Sequence, residues 1–498
     1  MSTLALQHAQ EGAAHASAGR LEAAIGAYRR ALALEPDHAA VHCALGIALA
    51  KRGQVNHAMA AYQQAIALAP QAAAGPYNLA LLQHATGRYG EAEASLRRAL
   101  ALEPSLAAGH GKLALTLEAL GQLEPAAEAL RQALALRPGH PGDLLSLARI
   151  LEKLGQPDQA RGALGQALAA QPDAPPLLVA QARLLKTLGR DDEAAETARR
   201  ALALQPGDLE VLRTLRVVLG EQGAAEAEAA YRTALARRPD FADGACDLAE
   251  LRLAQGDAAG ALAVCEDCLA ATPGQTRALA VKTVALNELG ETQKLARLTS
   301  QDLFVQERRW NDVGALNQEL ARHILAHPSL FHEPRETATR LGRHSGELLI
   351  EPKGPVTKLE AMICQAVEDY QAALKSNPFL TPPAPTPERW SLNVWAVVLE
   401  AAGYQQAHIH PSAWLSGVYY AALPALDEEQ AHEAGWLEFG RPLAHHRTTV
   451  APPTTAIRPE EGLMVLFPSY LFHRTIPFSG SGTRISIAFD VIPEGERP

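Results

Sequence analysis

Between residues 5 and 275, apolar and small residues recur in blocks of 34, and each block holds two stretches with the period of a one-sided helix. In "AAGPYNLALLQHATGRYGEAEASLRRALALEPSL" (73–106) the first stretch stops at Gly87, where a left-handed turn residue is cheap. The second carries Ala92, Leu96 and Ala99 at i, i+4 and i+7 and ends near Pro104, which cannot continue a helix. Pro36, Pro70, Pro104, Pro138, Pro172 and Pro206 lie 34 apart; Pro239 follows after 33 and Pro273 again after 34. Gly19, Gly53, Gly87, Gly121, Gly155, Gly189, Gly223, Gly256 and Gly290 run in step, which predicts a one-residue deletion after Gly223, in the second half of its block. One such helical hairpin cannot cover its own apolar face. Neighbours must therefore stack, giving an all-α solenoid of eight full units and a degenerate ninth over 276–308.

Past "QERRW" (306–310) the pattern breaks. Residues 311–334 read as a helix followed by a loop, 358–374 as a helix with one buried face, and 377–389 as a proline-rich connector. From 389 the period becomes two. "RWSLNVWAVVL", "LSGVYYAAL", "GWLEFG", "RTTVAP", "GLMVLFP", "HRTIPF" and "TRISIAFDVI" are short β-rich runs separated by turn residues. With the segment bearing His408 they make about eight strands, the number expected of a jelly roll or double-stranded β-helix. The chain is thus expected to be multidomain: a solenoid over 1–308, helical linker and support helices over 309–388, and a β barrel over 389–498.

Composition sharpens this division. All five Trp and eight of nine Phe lie beyond residue 290. No apolar run is long enough for a membrane span, and the first thirty residues lack the layout of a secretory signal. The formal charge of −10 comes from interleaved acids and bases, which argues against nucleic acid as a partner. Five scattered cysteines fit a reducing, cytoplasmic setting. Cys265-x-x-Cys268 replaces residues that are apolar in the other blocks and reads as core.

The candidate chemistry lies in the β-rich part. In "HIHPSAWLSGVYY" (408–420), His408 and His410 stand two apart, so on a strand they share a face. His473 ends another strand, and Arg484 and Ser486 share a face of "TRISIAFD". Two histidines and one further ligand on one side of an iron ion leave three positions open. A buried arginine calls for an anion; a dicarboxylate would meet Arg484, with Ser486 adding a hydrogen bond. His410 is either the third ligand or stands behind the ligands, with an acid such as Glu438 completing the set. His445 and His446 read as solvated loop residues, and His323 and His327 as an i, i+4 pair that nothing nearby completes. Trp414 and Trp436 read as rim or core aromatics.

The 34-residue blocks resemble the tetratricopeptide repeat family in length and in their small residues and terminal proline, which implies a concave surface that binds a protein or peptide. Residues 390–493, through "HIHPSAWLSGVYY", "GWLEFGRP" and "GLMVLFPSYLFHRTIPFSGSGTRISIAFDV", resemble a 2-oxoglutarate/Fe(II) oxygenase family found alone or behind such repeats, and more distantly prolyl hydroxylases. That resemblance implies Fe(II) with 2-oxoglutarate as cosubstrate, His408 and His473 as iron ligands, and Arg484 with Ser486 and Tyr420 on the distal carboxylate. The superfamily pattern is His-x-Asp, and here His410 stands in the place of the carboxylate. Three functions are compatible with these residues: a hydroxylase acting on a recruited protein or peptide, a scaffold with a non-catalytic barrel, and a three-histidine dioxygenase that needs no 2-oxoglutarate.

Overall fold

Each 34-residue block folds as two antiparallel helices, and the glycines close the turns between them. Gly19, Gly53, Gly87, Gly121, Gly155 and Gly189 take φ between +70° and +78°, a region that side chains with a Cβ avoid. The crossing of the two helices is matched in size. A Cβ on Gly12 or Gly46 would lie 2.6 or 2.5 Å from the ring of Tyr28 or Tyr62. In the next three blocks the same positions hold Ala80 with Leu96, Ala114 with Leu130, and Ala148 with Leu164, all buried in one cluster.

The computed structural model describes residues 2–332, 338–350, 352–376, 382–426, 433–446 and 448–494. It divides into two compact units, Met1–Leu204 and Gln205–Pro498. Six helix pairs, from Thr3–Ser17 to Asp191–Leu204, make the first unit. Three more, from Leu209–Leu219 to Thr292–Thr299, belong to the second together with the β domain. None of these helices is long and apolar enough to cross a membrane.

The shortened block differs from its sequence expectation. Its first helix, Leu209–Leu219, has 11 residues instead of the 13 of Pro175–Thr187, and the positive φ falls on Gly220. Gly223 instead caps Ala224–Arg237, which keeps the usual 14 residues. The deletion therefore precedes Gly223, in the first helix and its turn. The ninth pair ends in a helix of only eight residues, Thr292–Thr299. All five cysteines are free, and Cys265 and Cys268 are buried in the repeat core as expected.

Twelve strands are described: β1 Gln306–Arg309, β2 Phe331–His332, β3 Thr339–His344, β4 Trp390–Gln405, β5 Leu415–Ala422, β6 Ala425–Leu426, β7 Leu437–Phe439, β8 Thr455–Ile457, β9 Leu463–Pro468, β10 His473–Thr475, β11 Gly480–Ser481 and β12 Arg484–Pro493. They form a curled antiparallel jelly-roll domain. Its main sheet runs β1-β9-β5-β12-β4-β3-β2, the facing sheet β10-β7-β8, and β11 pairs with β6. β12 is central, paired with β4 along its whole length and with β5 from Ile485 to Val491. The segment at His408 is a single bridge to His473 rather than a full strand. The expected strand at "RTTVAP" is absent over 448–452. There Glu288 accepts the Thr449 and Val450 N–H groups at 3.0–3.1 Å, and pairing resumes only after Pro453, in β8.

Two cores hold the second unit. On one side of the main sheet, helices Gly314–Leu325 and Val356–Ser376 pack Leu320, Ile363 and Tyr370 against Trp414, Ile487 and Phe489. On the other, Leu279, Val281 and Val284 of the repeat helix Thr276–Glu288 share a cluster with Leu437, Phe439, Phe467 and Phe472 of the barrel. Thr276 Oγ1 also donates to the Ala413 carbonyl at 3.0 Å. A fragment comprising residues 301–498 is therefore expected to aggregate or melt without a cooperative transition, because this apolar face would meet water. A fragment comprising 205–498 should unfold in one step. Circular dichroism melts and size-exclusion profiles of the two fragments check this.

Candidate functional site

The inward face of β12 follows period two: Arg484, Ser486, Ala488 and Asp490 all line one cavity of about 350 Å³. His408, His410 and His473 line it as well, with Tyr420 from β5 and Trp395 from β4. The backbone fixes two of the histidines relative to each other: His408 N–H donates to the His473 carbonyl at 3.0 Å and His473 N–H to the His408 carbonyl at 3.1 Å. The ring centroids of His408 and His473 are 4.2 Å apart, and each lies 5.1 Å from that of His410. One nitrogen from each ring falls within 4.8 Å of the others.

Each ring is also turned by a hydrogen bond at Nδ1. His408 Nδ1 lies 2.8 Å from the Gln406 carbonyl, His473 Nδ1 3.0 Å from the Leu471 carbonyl, and His410 Nδ1 2.8 Å from Asp490. Carbonyl and carboxylate oxygens only accept, so Nδ1 carries the proton in all three rings. Burial, with His410 nearby, lowers the His408 pKa to about 3, and burial beside the other two rings holds His473 well below the usual imidazole range. These two rings are neutral at pH 7 and keep a lone pair on Nε2. Buried Nε2 of His410 has no hydrogen-bond partner among the described residues. Such a set of imidazoles could hold one transition-metal ion.

Asp490 is itself held. Ser416 Oγ donates to it at 2.7 Å and is 2.8 Å from Ser469 Oγ. Trp395 stacks on His410 at 5.6 Å and on His344 at 6.0 Å. Glu438 does not reach the histidines. It pairs with Arg441 at 2.8 Å and with Arg474, and its register opposite Arg474 turns it to the other face from His473.

Arg484 marks another part of the cavity. It is 2% exposed, and burial lowers its pKa. Its Nη1 donates to the Gly435 carbonyl, but Nε has no partner, and no carboxylate pairs with it among the described residues. The Tyr420 hydroxyl is buried with Arg484 5.2 Å from its ring, and beyond that arginine it meets no hydrogen-bond partner among the described residues. Ser486 Oγ makes one long contact, 3.4 Å, to the Val397 carbonyl. A cation and two hydroxyls thus face the cavity with hydrogen-bonding capacity to spare, which suits an anion.

Other histidines fall elsewhere. His323 and His327 lie 5.6 Å apart, and no acid or further histidine joins them among the described residues. His446, expected in solvent, is 7% exposed and packs on Phe472, while His445 is exposed. Trp414 belongs to the core, edge-on to Tyr370. Sequence reading missed Asp490 and Ser416, although Asp490 continues the alternation that picked out Arg484 and Ser486.

Comparison with known proteins agrees with this layout. Residues 393–490 match the family described as "Putative 2OG-Fe(II) oxygenase". Residues 5–211 match "Cilia and flagella-associated protein 70 C-terminal domain" and 216–276 match "Tetratricopeptide repeat". Among solved structures, the pilus biogenesis factor PilW is 20% identical over 44% of this chain and 100% of its own, with a TM-score of 0.40. Pseudomonas aeruginosa pilF is 24% identical over 42% and 96%, with a TM-score of 0.38, and MamA 24% over 35% and 94%, with a TM-score of 0.32. No curated protein gives a significant match. The chain carries tetratricopeptide repeats followed, toward its C-terminus, by a domain of that oxygenase family.

Proposed function

We propose that this protein is an Fe(II)/2-oxoglutarate-dependent hydroxylase acting on a protein or peptide that its repeats recruit. One observation carries the reading: three imidazoles with anchored Nδ1 atoms share a cavity with a buried arginine that no acid among the described residues neutralises. His408, His410 and His473 would hold iron through Nε2, which is the orphaned atom of His410. Arg484, Ser486 and Tyr420 would bind the distal carboxylate of 2-oxoglutarate. Iron(II) with 2-oxoglutarate and dioxygen supplies the oxidising power to hydroxylate a C–H bond, with release of succinate and carbon dioxide. Asp490 fixes the His410 tautomer and keeps a negative charge one residue behind the position where the superfamily has a carboxylate. Apolar walls from Trp395, Val418 and Phe467 limit water in the cavity. Stacked helical repeats commonly present an extended peptide-binding surface, which supports recruitment of a protein substrate.

Incubation with Fe(II), 2-oxoglutarate and oxygen should yield succinate, increased by a peptide substrate. Absence of both bound metal and succinate would overturn the reading. Asp490→Asn should weaken metal binding about 10–100-fold with the fold intact, measured by Co(II) titration. Arg484→Met should abolish stabilisation by added 2-oxoglutarate. The same variant should raise the unfolding midpoint of the ligand-free protein by a few degrees, on the order of 1 kcal/mol, because a lone buried cation is removed. Retained 2-oxoglutarate-dependent turnover in Arg484→Met would instead favour a different cosubstrate site, and metal-dependent oxygen uptake without 2-oxoglutarate a three-histidine dioxygenase.

A further inference from the structure

A second group of ligand-type side chains lies where the repeats meet the barrel. Glu250 comes from the repeat helix Ala242–Ala254, and His445 and His446 from the turn that follows β7. Adjacent residues on a strand would face opposite ways, but 444–446 is a turn, and it brings both rings together at 4.5 Å, edge to face. His445 Nε2 lies 3.9 Å from Glu250 Oε2, and His446 Nε2 3.8 Å from Glu250 Oε1. One atom from each of the three residues lies within 4.8 Å of the others. These separations are too long for hydrogen bonds and close to the spacing, roughly 3.3 Å, of two ligands at tetrahedral positions on one zinc ion.

The independent sign is His446. It is 7% exposed, and neither of its ring nitrogens has a hydrogen-bond partner among the described residues. A buried imidazole with both nitrogens unsatisfied is costly unless something outside the protein meets it. A cavity of about 240 Å³ opens beside it, bordered by Glu250, Arg277, His446, Phe472 and His408.

The charges around the group allow a cation. Arg277 donates to Glu250 only at Oε1, from Nε at 3.0 Å and Nη2 at 2.8 Å. The same Nη2 lies 2.5 Å from Asp247, which also accepts from Arg213 Nε at 2.7 Å. Two arginines are therefore matched by two carboxylates, and Glu250 Oε2 is left facing His445. Arg216 and Arg277 face His445 and oppose the cation, which argues for a moderate affinity.

We propose that Glu250, His445 and His446 form a second metal site, for a zinc-class divalent ion, tying the repeat helix Ala242–Ala254 to the barrel. Two imidazoles and one carboxylate are a zinc-type ligand set, and the exposed side of His445 leaves a fourth position for water. The ion is separate from the one at His408, His410 and His473, and its binding does not depend on the oxygenase reading.

The full-length protein, stripped with chelator and dialysed, tests this by titration with Zn(II) or Co(II) and metal analysis. Wild type should hold two equivalents. His446→Asn and His445→Ala should each hold one, and so should His473→Ala, while His446→Asn/His473→Ala should hold none. His445 is exposed, so its alanine variant keeps the fold, checked by circular dichroism. Zinc should also raise the unfolding midpoint of His473→Ala and leave that of the double variant unchanged. Overturning results are a single equivalent in wild type that vanishes in His473→Ala, or two equivalents retained in both His445→Ala and His446→Asn.

Discussion

Three hydrogen bonds from Nδ1 atoms turn a set of histidines into a site. Without them each ring could rotate and present either nitrogen. With them Nε2 is the only atom left to bind, and the rings share one cavity. Two of the acceptors are backbone carbonyls within two residues of the ring they hold, so local chain geometry suffices for His408 and His473. The third is Asp490, 80 residues from His410, and its position needs the sheet. β12 is hydrogen-bonded on both edges there, with Asp490 opposite Asn393 on β4 and Ser416 on β5. Central placement of that strand therefore determines the third imidazole.

The two polar regions of the cavity are balanced differently. Asp490 has His410 and Ser416 as donors and is fully engaged. Arg484 has one carbonyl and spare donors. A protein selected for stability alone would not bury a guanidinium in this way. The asymmetry leaves spare hydrogen-bonding capacity at Arg484, while the histidine side is held by Asp490 and its partners.

Much of this was legible in the chain. The 34-residue spacing of Gly and Pro gave the helix pairs because eight of the nine glycines mark a positive φ and each proline follows a helix end. Alternation in "TRISIAFD" put Arg484 and Ser486 on one face, and the His408–His410 spacing worked although that segment is only a bridge. Other features depended on distance. "QERR" in β1 has no apolar position, since an edge strand can be polar on both faces. The deleted residue was misplaced because Gly220 and Gly223 both suit a turn, and only the backbone distinguishes them. Glu250 and His446 are brought together by packing between repeats and barrel, which no local period records.

The helices Ala242–Ala254 and Thr276–Glu288 each have nine buried residues out of 13, against six in Pro141–Lys153 of the first unit. They have lost the one-sided pattern of a repeat helix because they are covered by neighbouring repeats and by the barrel. Stacked repeats end in a capping element with a polar outer surface, without which the last apolar face is open to water. Here the oxygenase-family domain fills that role for the last repeats. The same jelly roll that houses the histidines is thus also the terminator of the helical array, and drift in the last repeats is limited by both duties at once.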